Sequence, residues 1–306
     1  MNFLKFIVLV VCVTTFLESK IEAKENVMKI GLVQMHCTEN PKDNLQKAIS
    51  SITELAEKGA QIVCLPELFG SIYFCQTRDD VFFDLAETIP GPTTEKLGAL
   101  AKKFNIVILA SLFEDAGNEQ YFNTVAVIDG EGKIIGKYRK MHIPDDPANG
   151  YDEAHYFQQG DLGFRAFQTP HAKIAPMVCW DQWFPEGARL CAVQGAQILF
   201  YPTAIGWPLK DRVELNRAEH EAWQIIQRSH AIGNNLFVVA VNRVGIQDQL
   251  NFWGTSFVAD PYGRVIAKAS SDKEENLLVT CDLNIIEEMR KDWPFLDYRR
   301  VKCEEK

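Results

Sequence analysis

Runs of consecutive apolar residues, rather than strict alternation, set the rhythm of this chain. Ile62-Val63-Cys64-Leu65, Ile106-Val107-Ile108-Leu109, Ile198-Leu199-Phe200-Tyr201 and Leu236-Phe237-Val238-Val239 are apolar at every position. Strands of that kind must be covered on both faces, as in a sheet with helices packed against it. Helical period fills the gaps: in 44–56, Leu45, Ala48, Ile49, Ile52, Leu55 and Ala56 fall on one face, and 186–194 and 217–232 read likewise. Two hairpins follow from turn chemistry, one through Asp129-Gly130-Glu131-Gly132 and one through Asp260-Pro261-Tyr262-Gly263.

The pattern occurs twice. Gly59-Ala60-Gln61-Ile62 through Pro66 to Gly70 is echoed by Gly195-Ala196-Gln197-Ile198 through Pro202 to Gly206, and the strands opening at Asn105 and Asn235 repeat in the same order. Each half reads strand, helix, strand, helix, strand, hairpin. The fold class is α/β: two covered sheets packed together predict a four-layer α-β-β-α sandwich with an internal pseudo-two-fold repeat. No Pro/Gly/Ser-rich linker divides the halves, so one domain over 28–300 is expected, with a short tail at 301–306.

Residues 1–27 form a separate leader. Lys5 precedes an apolar stretch over 6–17 that is too short to span a bilayer and fits a signal-peptide core, with Ala23 as the cleavage residue. The alternative is an upstream start, with translation beginning at Met28. Export and a cytoplasmic location are the respective consequences.

With 47% hydrophobic residues among 306, the chain can bury a large core. Its net charge of −9 and lack of a basic stripe argue against nucleic-acid binding. The eight cysteines show neither CxxC nor histidine-paired spacing, and the histidines form no HExxH, so no metal site and no disulfide framework is signalled. No GxGxxG or phosphate loop points to a cofactor.

Chemistry-bearing side chains stand where apolar strands end: Glu67 after Ile62-Val63-Cys64-Leu65-Pro66, Lys140 after 133–139, and Cys179 after Met177-Val178. Strand ends at the lip of an α/β sheet present side chains to ligands. Cys179 reads as a nucleophile or a packed core thiol, Glu67 as its base or a helix cap, and Lys140 as an oxyanion partner or a solvated strand end. Alternation places Tyr138 and Lys140 on one face and Lys137 and Arg139 on the other. Glu153 lies in a Pro/Gly/Asp-rich loop that would ordinarily be solvated. Pro176, three residues before Cys179, removes a ladder donor from its strand.

Pro66-Glu67-Leu68, Tyr138-Arg139-Lys140 with His142-Ile143-Pro144, and Cys179-Trp180-Asp181-Gln182-Trp183-Phe184-Pro185-Glu186 resemble the nitrilase superfamily of carbon–nitrogen hydrolases. Tyr73-Phe74-Cys75-Gln76, Tyr201-Pro202-Thr203-Ala204-Ile205-Gly206 and Trp253-Gly254-Thr255-Ser256-Phe257 are most similar to its N-carbamoylputrescine amidase branch. The resemblance implies the α-β-β-α sandwich, a triad of Glu67 (general base), Lys140 (oxyanion stabiliser) and Cys179 (nucleophile), and Glu153 as an accessory carboxylate. Trp180 would bind substrate and lend its N–H to the oxyanion. It also implies homo-oligomers and neither metal nor organic cofactor.

The expected reaction is hydrolysis of an N-carbamoyl amine through a cysteine-bound intermediate; a β-ureidopropionase-like or aliphatic amidase activity is the nearest alternative. A catalytically silent binding module would lack part of the triad, and all three residues are present. Trp180, Gln182 and Trp183 offer aromatic and neutral contacts, which suit an aliphatic amine better than a carboxylate. Asp145, Asp146 and Asp181 are the candidates to meet its ammonium.

Overall fold

The computed structural model describes residues 26–210 and 212–300. The leader through residue 25 and the tail 301–306, with Cys12 and Cys303, lie outside the described residues. The first half runs β1 (Val27–Gln34), α1 (Pro41–Glu57), β2 (Ile62–Cys64), α2 (Pro92–Phe104), β3 (Val107–Asp115), β4 (Tyr121–Ile128) and β5 (Ile134–Arg139). A connection bearing the short pair β6 (Asp145–Asp146) and β7 (Tyr151–Asp152) follows.

The second half runs β8 (Phe167–Gln168), β9 (Lys173–Pro176), α3 (Pro185–Val193), β10 (Ile198–Thr203), β11 (Gly206–Pro208), α4 (Val213–Asn234) and β12 (Phe237–Asn242). Then come β13 (Val244–Gln247), β14 (Leu250–Trp253), β15 (Phe257–Ala259), β16 (Val265–Lys268), β17 (Glu275–Asp282) and α5 (Asn284–Asp292).

Two six-stranded sheets result, ordered β17-β1-β2-β3-β4-β5 and β16-β15-β12-β10-β9-β8. Their inner faces share one core, in which Ile30, Leu32, Ile62 and Leu109 meet Ile174, Ile198, Phe200 and Val239. The outer face of the first sheet, with Val33, Val63 and Ile108, packs on Ala48, Ile52 and Leu55 of α1 and Leu97 of α2. This is the four-layer sandwich expected from the repeated pattern.

The repeat has a hydrogen-bonding cause. Gln61 and Gln197 each accept, at 3.0 Å, the backbone N–H of Lys29 or Lys173, the residue near the start of the neighbouring parallel strand. Their own carbonyls take the N–H that opens the next strand, Val107 or Phe237. Gly59 and Gly195 end the preceding helices with φ of +93° and +91°, a region costly for a residue with a Cβ. Asn105 and Asn235 belong to the helix ends rather than opening the strands that follow: both are left-handed caps, of α2 and α4 respectively.

Two features break the symmetry. An inserted sheet, ordered β11-β14-β13, follows the second copy, and β17 crosses back to pair antiparallel with β1 along its whole length. Pro176 costs no ladder bond: Met177 N–H donates to Phe200 O, so the Pro176 nitrogen points to the other side of β9. There the two-residue β8 pairs only with Lys173 and Ile174.

Truncating Ile30→Ala in the inter-sheet core should cost about 2–5 kcal/mol by urea unfolding. Ile266→Ala, on an exposed position of edge strand β16, should stay within about 0.5 kcal/mol.

Candidate active site

Glu67, Lys140, Glu153 and Cys179 meet at the C-terminal ends of β2, β5 and β9. Lys140 is wholly buried, and its Nζ donates to Glu67 Oε1 at 2.8 Å and to Glu153 Oε1 and Oε2 at 2.7 and 2.6 Å. The solvated-strand-end reading of Lys140 and the solvated-loop reading of Glu153 are both set aside by this arrangement. The alternation inferred for β5 is present, since Tyr138 and Lys140 are buried whereas Lys137 and Arg139 reach across to Glu114.

Each member is held by the backbone around it. No helix begins at Leu68; the chain turns there with φ of +48°. Leu68 N–H donates to Ser111 Oγ at 3.1 Å, and Arg243 donates through Nε to Glu67 O at 3.0 Å and through Nη2 to Leu68 O. Asn123 holds two members at once: its Nδ2 donates to Glu67 Oε1 at 2.7 Å and its carbonyl accepts Lys140 N–H at 2.8 Å. Tyr73 OH donates to Glu153 Oε1 at 2.7 Å.

Cys179 opens a 3-10 turn, Cys179–Trp183, with φ of +41°, another non-glycine residue in the left-handed region. Such backbone persists only where its surroundings dictate it, and it recurs at active sites. The clamp here is Asp181. Its buried carboxylate accepts Val178 N–H at 2.9 Å, Tyr138 OH at 2.8 Å and His142 N–H at 3.0 Å, and it meets His142 Nδ1 at 2.7 Å. The turn that carries Cys179 is thereby tied to the strand end that carries Lys140.

The electrostatics follow from two carboxylates around one ammonium in a buried site. Burial opposes the Lys140 charge, but Glu153 and Glu67 outweigh it and hold the ammonium well above its ordinary pKa. Burial drives Glu153 the other way, up to about 7, with Glu67 adding to the rise and Lys140 opposing it. Burial, reinforced by Glu67, lifts the Cys179 thiol well above its usual range, with Lys140 pulling it down. The resting sulfur is therefore a thiol, and it needs a base to become a nucleophile. Glu67 Oε2 is buried without a hydrogen-bond partner among the described residues, whereas Oε1 takes the contacts from Lys140 and Asn123.

A cavity of about 190 Å³ reaches Cys179. Trp180, Trp183, Trp253, Ile205 and Pro208 supply its apolar wall, and Asp146, Asn149, Tyr151, Arg212 and Glu219 its polar positions. Of the acids expected to face a substrate ammonium, only Asp146 lines this cavity; Asp145 is exposed, and Asp181 is spent on the clamp. Gln182 does not contact substrate space either. It lies buried behind the turn, where its Oε1 accepts Trp223 Nε1–H at 2.8 Å and its carbonyl meets His230 Nε2.

Sequence reasoning missed Tyr73, Asn123, Arg243, Arg212 and Glu219. Asn123 carried a signal, being polar within an otherwise apolar β4. Glu219 and Arg212, on and just before α4, look like ordinary solvated helix charges and carried none. Among the described residues, no group of three or more His, Cys, Asp or Glu could hold a metal ion.

Residues 29–291 match the model of the carbon–nitrogen hydrolase family. An N-carbamoylputrescine amidase of Solanum lycopersicum is 42% identical over 287 residues, covering 90% of this chain and 93% of that protein. A citrullinase of Francisella tularensis is 40% identical over 278 residues, covering 89% of this chain and 95% of that protein. The crystal structure of a carbon–nitrogen hydrolase from Helicobacter pylori G27 superposes with a TM-score of 0.86 at 41% identity, covering 90% of this chain and 96% of that one. The chain is a member of the carbon–nitrogen hydrolase family.

Proposed function

We propose that this protein hydrolyses N-carbamoylputrescine to putrescine, carbon dioxide and ammonia, and that 28–300 form the hydrolase unit. The observation that carries the reading is the buried Lys140 ammonium, within 2.8 Å of both Glu67 and Glu153, beside a cysteine that opens onto a narrow cavity. The relatives named above supply the substrate class.

Glu67 takes the Cys179 proton as the sulfur attacks the carbamoyl carbon, and the carbonyl oxygen becomes an oxyanion. Lys140 and the Trp180 N–H, at the start of a turn where N–H groups lack intrahelical partners, stabilise that charge. Glu67 returns the proton to the departing nitrogen, ammonia leaves, and a thiocarbamate remains on Cys179. Glu67 then deprotonates a water positioned with Glu153; the water displaces the sulfur, and the resulting carbamic acid loses carbon dioxide to give the amine. One carboxyl thus acts as base, acid and base again. Assembly into homo-oligomers belongs to the same reading and is supported by Leu215 and Ile225, which stand exposed on α4.

Ammonia release from N-carbamoylputrescine should be abolished in Cys179→Ala and lowered on the order of 10²–10⁴-fold in Glu67→Gln. Intact-protein mass should detect a substrate adduct in the wild type that Cys179→Ala lacks. Undiminished turnover in Cys179→Ala would sink the reading.

Glu153 adds a pH dependence. Its folded pKa of about 7 stands above the ordinary 4.5, so the folded state holds a proton that the unfolded chain has lost between those values. Its contribution to stability is complete below about 4.5 and is lost as pH rises through 7. The melting temperature of Glu153→Gln relative to wild type should therefore climb from pH 5 to pH 8, and a flat difference would contradict the assignment.

A further inference from the structure

Four side chains at the polar end of the cavity form one hydrogen-bonded chain. Asn149 Nδ2 donates to Asp146 Oδ2 at 2.8 Å, Arg212 Nη1 donates to Asn149 Oδ1 at 3.3 Å, and Arg212 Nη2 donates to Glu219 Oε1 at 2.8 Å. Asp146 and Asn149 come from the connection between the halves, Arg212 precedes α4 and Glu219 lies in its second turn, so the chain joins two segments distant in sequence. All four line the cavity that reaches Cys179. They bear two carboxylates and one guanidinium, and none takes part in the bond-breaking chemistry.

The arithmetic of that rim selects tails by charge. A net charge of −1 favours an ammonium and disfavours a substrate ending in a carboxylate alone. Each carboxylate spends one oxygen on the chain, which leaves its second oxygen for a ligand cation. Arg212 adds something a purely acidic rim would lack. Its planar fork spends one donor on Asn149 and one on Glu219, and a guanidinium has five, so it can also receive a carboxylate in the geometry that suits it.

We propose that Arg212 and Glu219 make this rim a zwitterion receptor, so that the enzyme hydrolyses two tail classes: ω-ureido alkylamines and ω-ureido-α-amino acids, whose tails carry ammonium and carboxylate together. The ammonium sits against Glu219 and Asp146, and the carboxylate against Arg212. This rests on the reading of Cys179 as a ureido hydrolase and extends it to the opposite end of the substrate.

Three ureido compounds of similar length test it by ammonia release: N-carbamoylputrescine, citrulline and the uncharged N-butylurea. The wild type should turn over both charged compounds with higher kcat/KM than N-butylurea. In Arg212→Gln the citrulline to N-carbamoylputrescine ratio should fall at least tenfold. In Glu219→Gln that ratio should rise, while the advantage of N-carbamoylputrescine over N-butylurea shrinks at least fivefold. Arg212→Lys keeps the charge without the fork and should give an intermediate ratio, which preserves the test if the glutamine variant does not fold. Citrulline turnover no better than that of N-butylurea, or a wild-type ratio in both Arg212 variants, overturns the proposal. Failure of the wild type on all three compounds would instead overturn the ureido hydrolase reading itself.

Discussion

A single ammonium buried out of reach of bulk solvent is the constraint on which this structure depends. Burying Lys140 costs several kcal/mol in lost hydration, and the cost is offset only if acceptors stand within hydrogen-bond distance in fixed positions. Glu67 and Glu153 provide them, at 2.8 Å and at 2.6 and 2.7 Å. Removing either carboxylate would leave an undercompensated charge, so the segments that carry them must be held rigidly. The network around the site performs that function: Arg243 grips the turn after Glu67, Asn123 links Glu67 to the Lys140 backbone, and Tyr73 anchors Glu153.

The excess of carboxylate over ammonium has a chemical consequence. One positive charge cannot hold two buried carboxylates fully ionised, so the second rises toward neutrality, as Glu153 does. The sulfur remains protonated by the same field, since burial and the Glu67 charge both oppose a thiolate. In the proposed reaction, attack by the sulfur is thereby coupled to proton transfer, and a thiolate is disfavoured in the resting protein.

Beneath the site lies a duplicated scaffold whose chemistry was not duplicated. The glycine, glutamine and asparagine positions repeat because each half needs the same helix stop, the same strand clamp and the same left-handed cap. Where the first copy ends in Glu67, the second ends in Thr203, buried and bonded to Tyr201 O and Gln182. The strand before Cys179 belongs to the second half, and those before Glu67 and Lys140 to the first. The candidate site is thus assembled between the halves, and its cavity is finished by the inserted β11 and the start of α4, which the repeat does not contain.

Much of this was legible in the residues themselves. Continuous apolar strands demanded covered sheets, the internal echo implied a layered sandwich, and Glu67, Lys140 and Cys179 each stood where a strand runs out. These are properties of local periodicity and covalent neighbourhood, which a sequence carries directly. Partnerships across space are another matter. That Asp181 would clamp the Cys179 turn instead of facing solvent, that Gln182 would turn inward, and that β17 would return to β1 depend on where distant chain segments come to rest. Arg212 and Glu219 make the point most plainly: along the chain they are unremarkable helix charges, and only the packing of α4 beside the connection loop brings them to the same cavity as the cysteine.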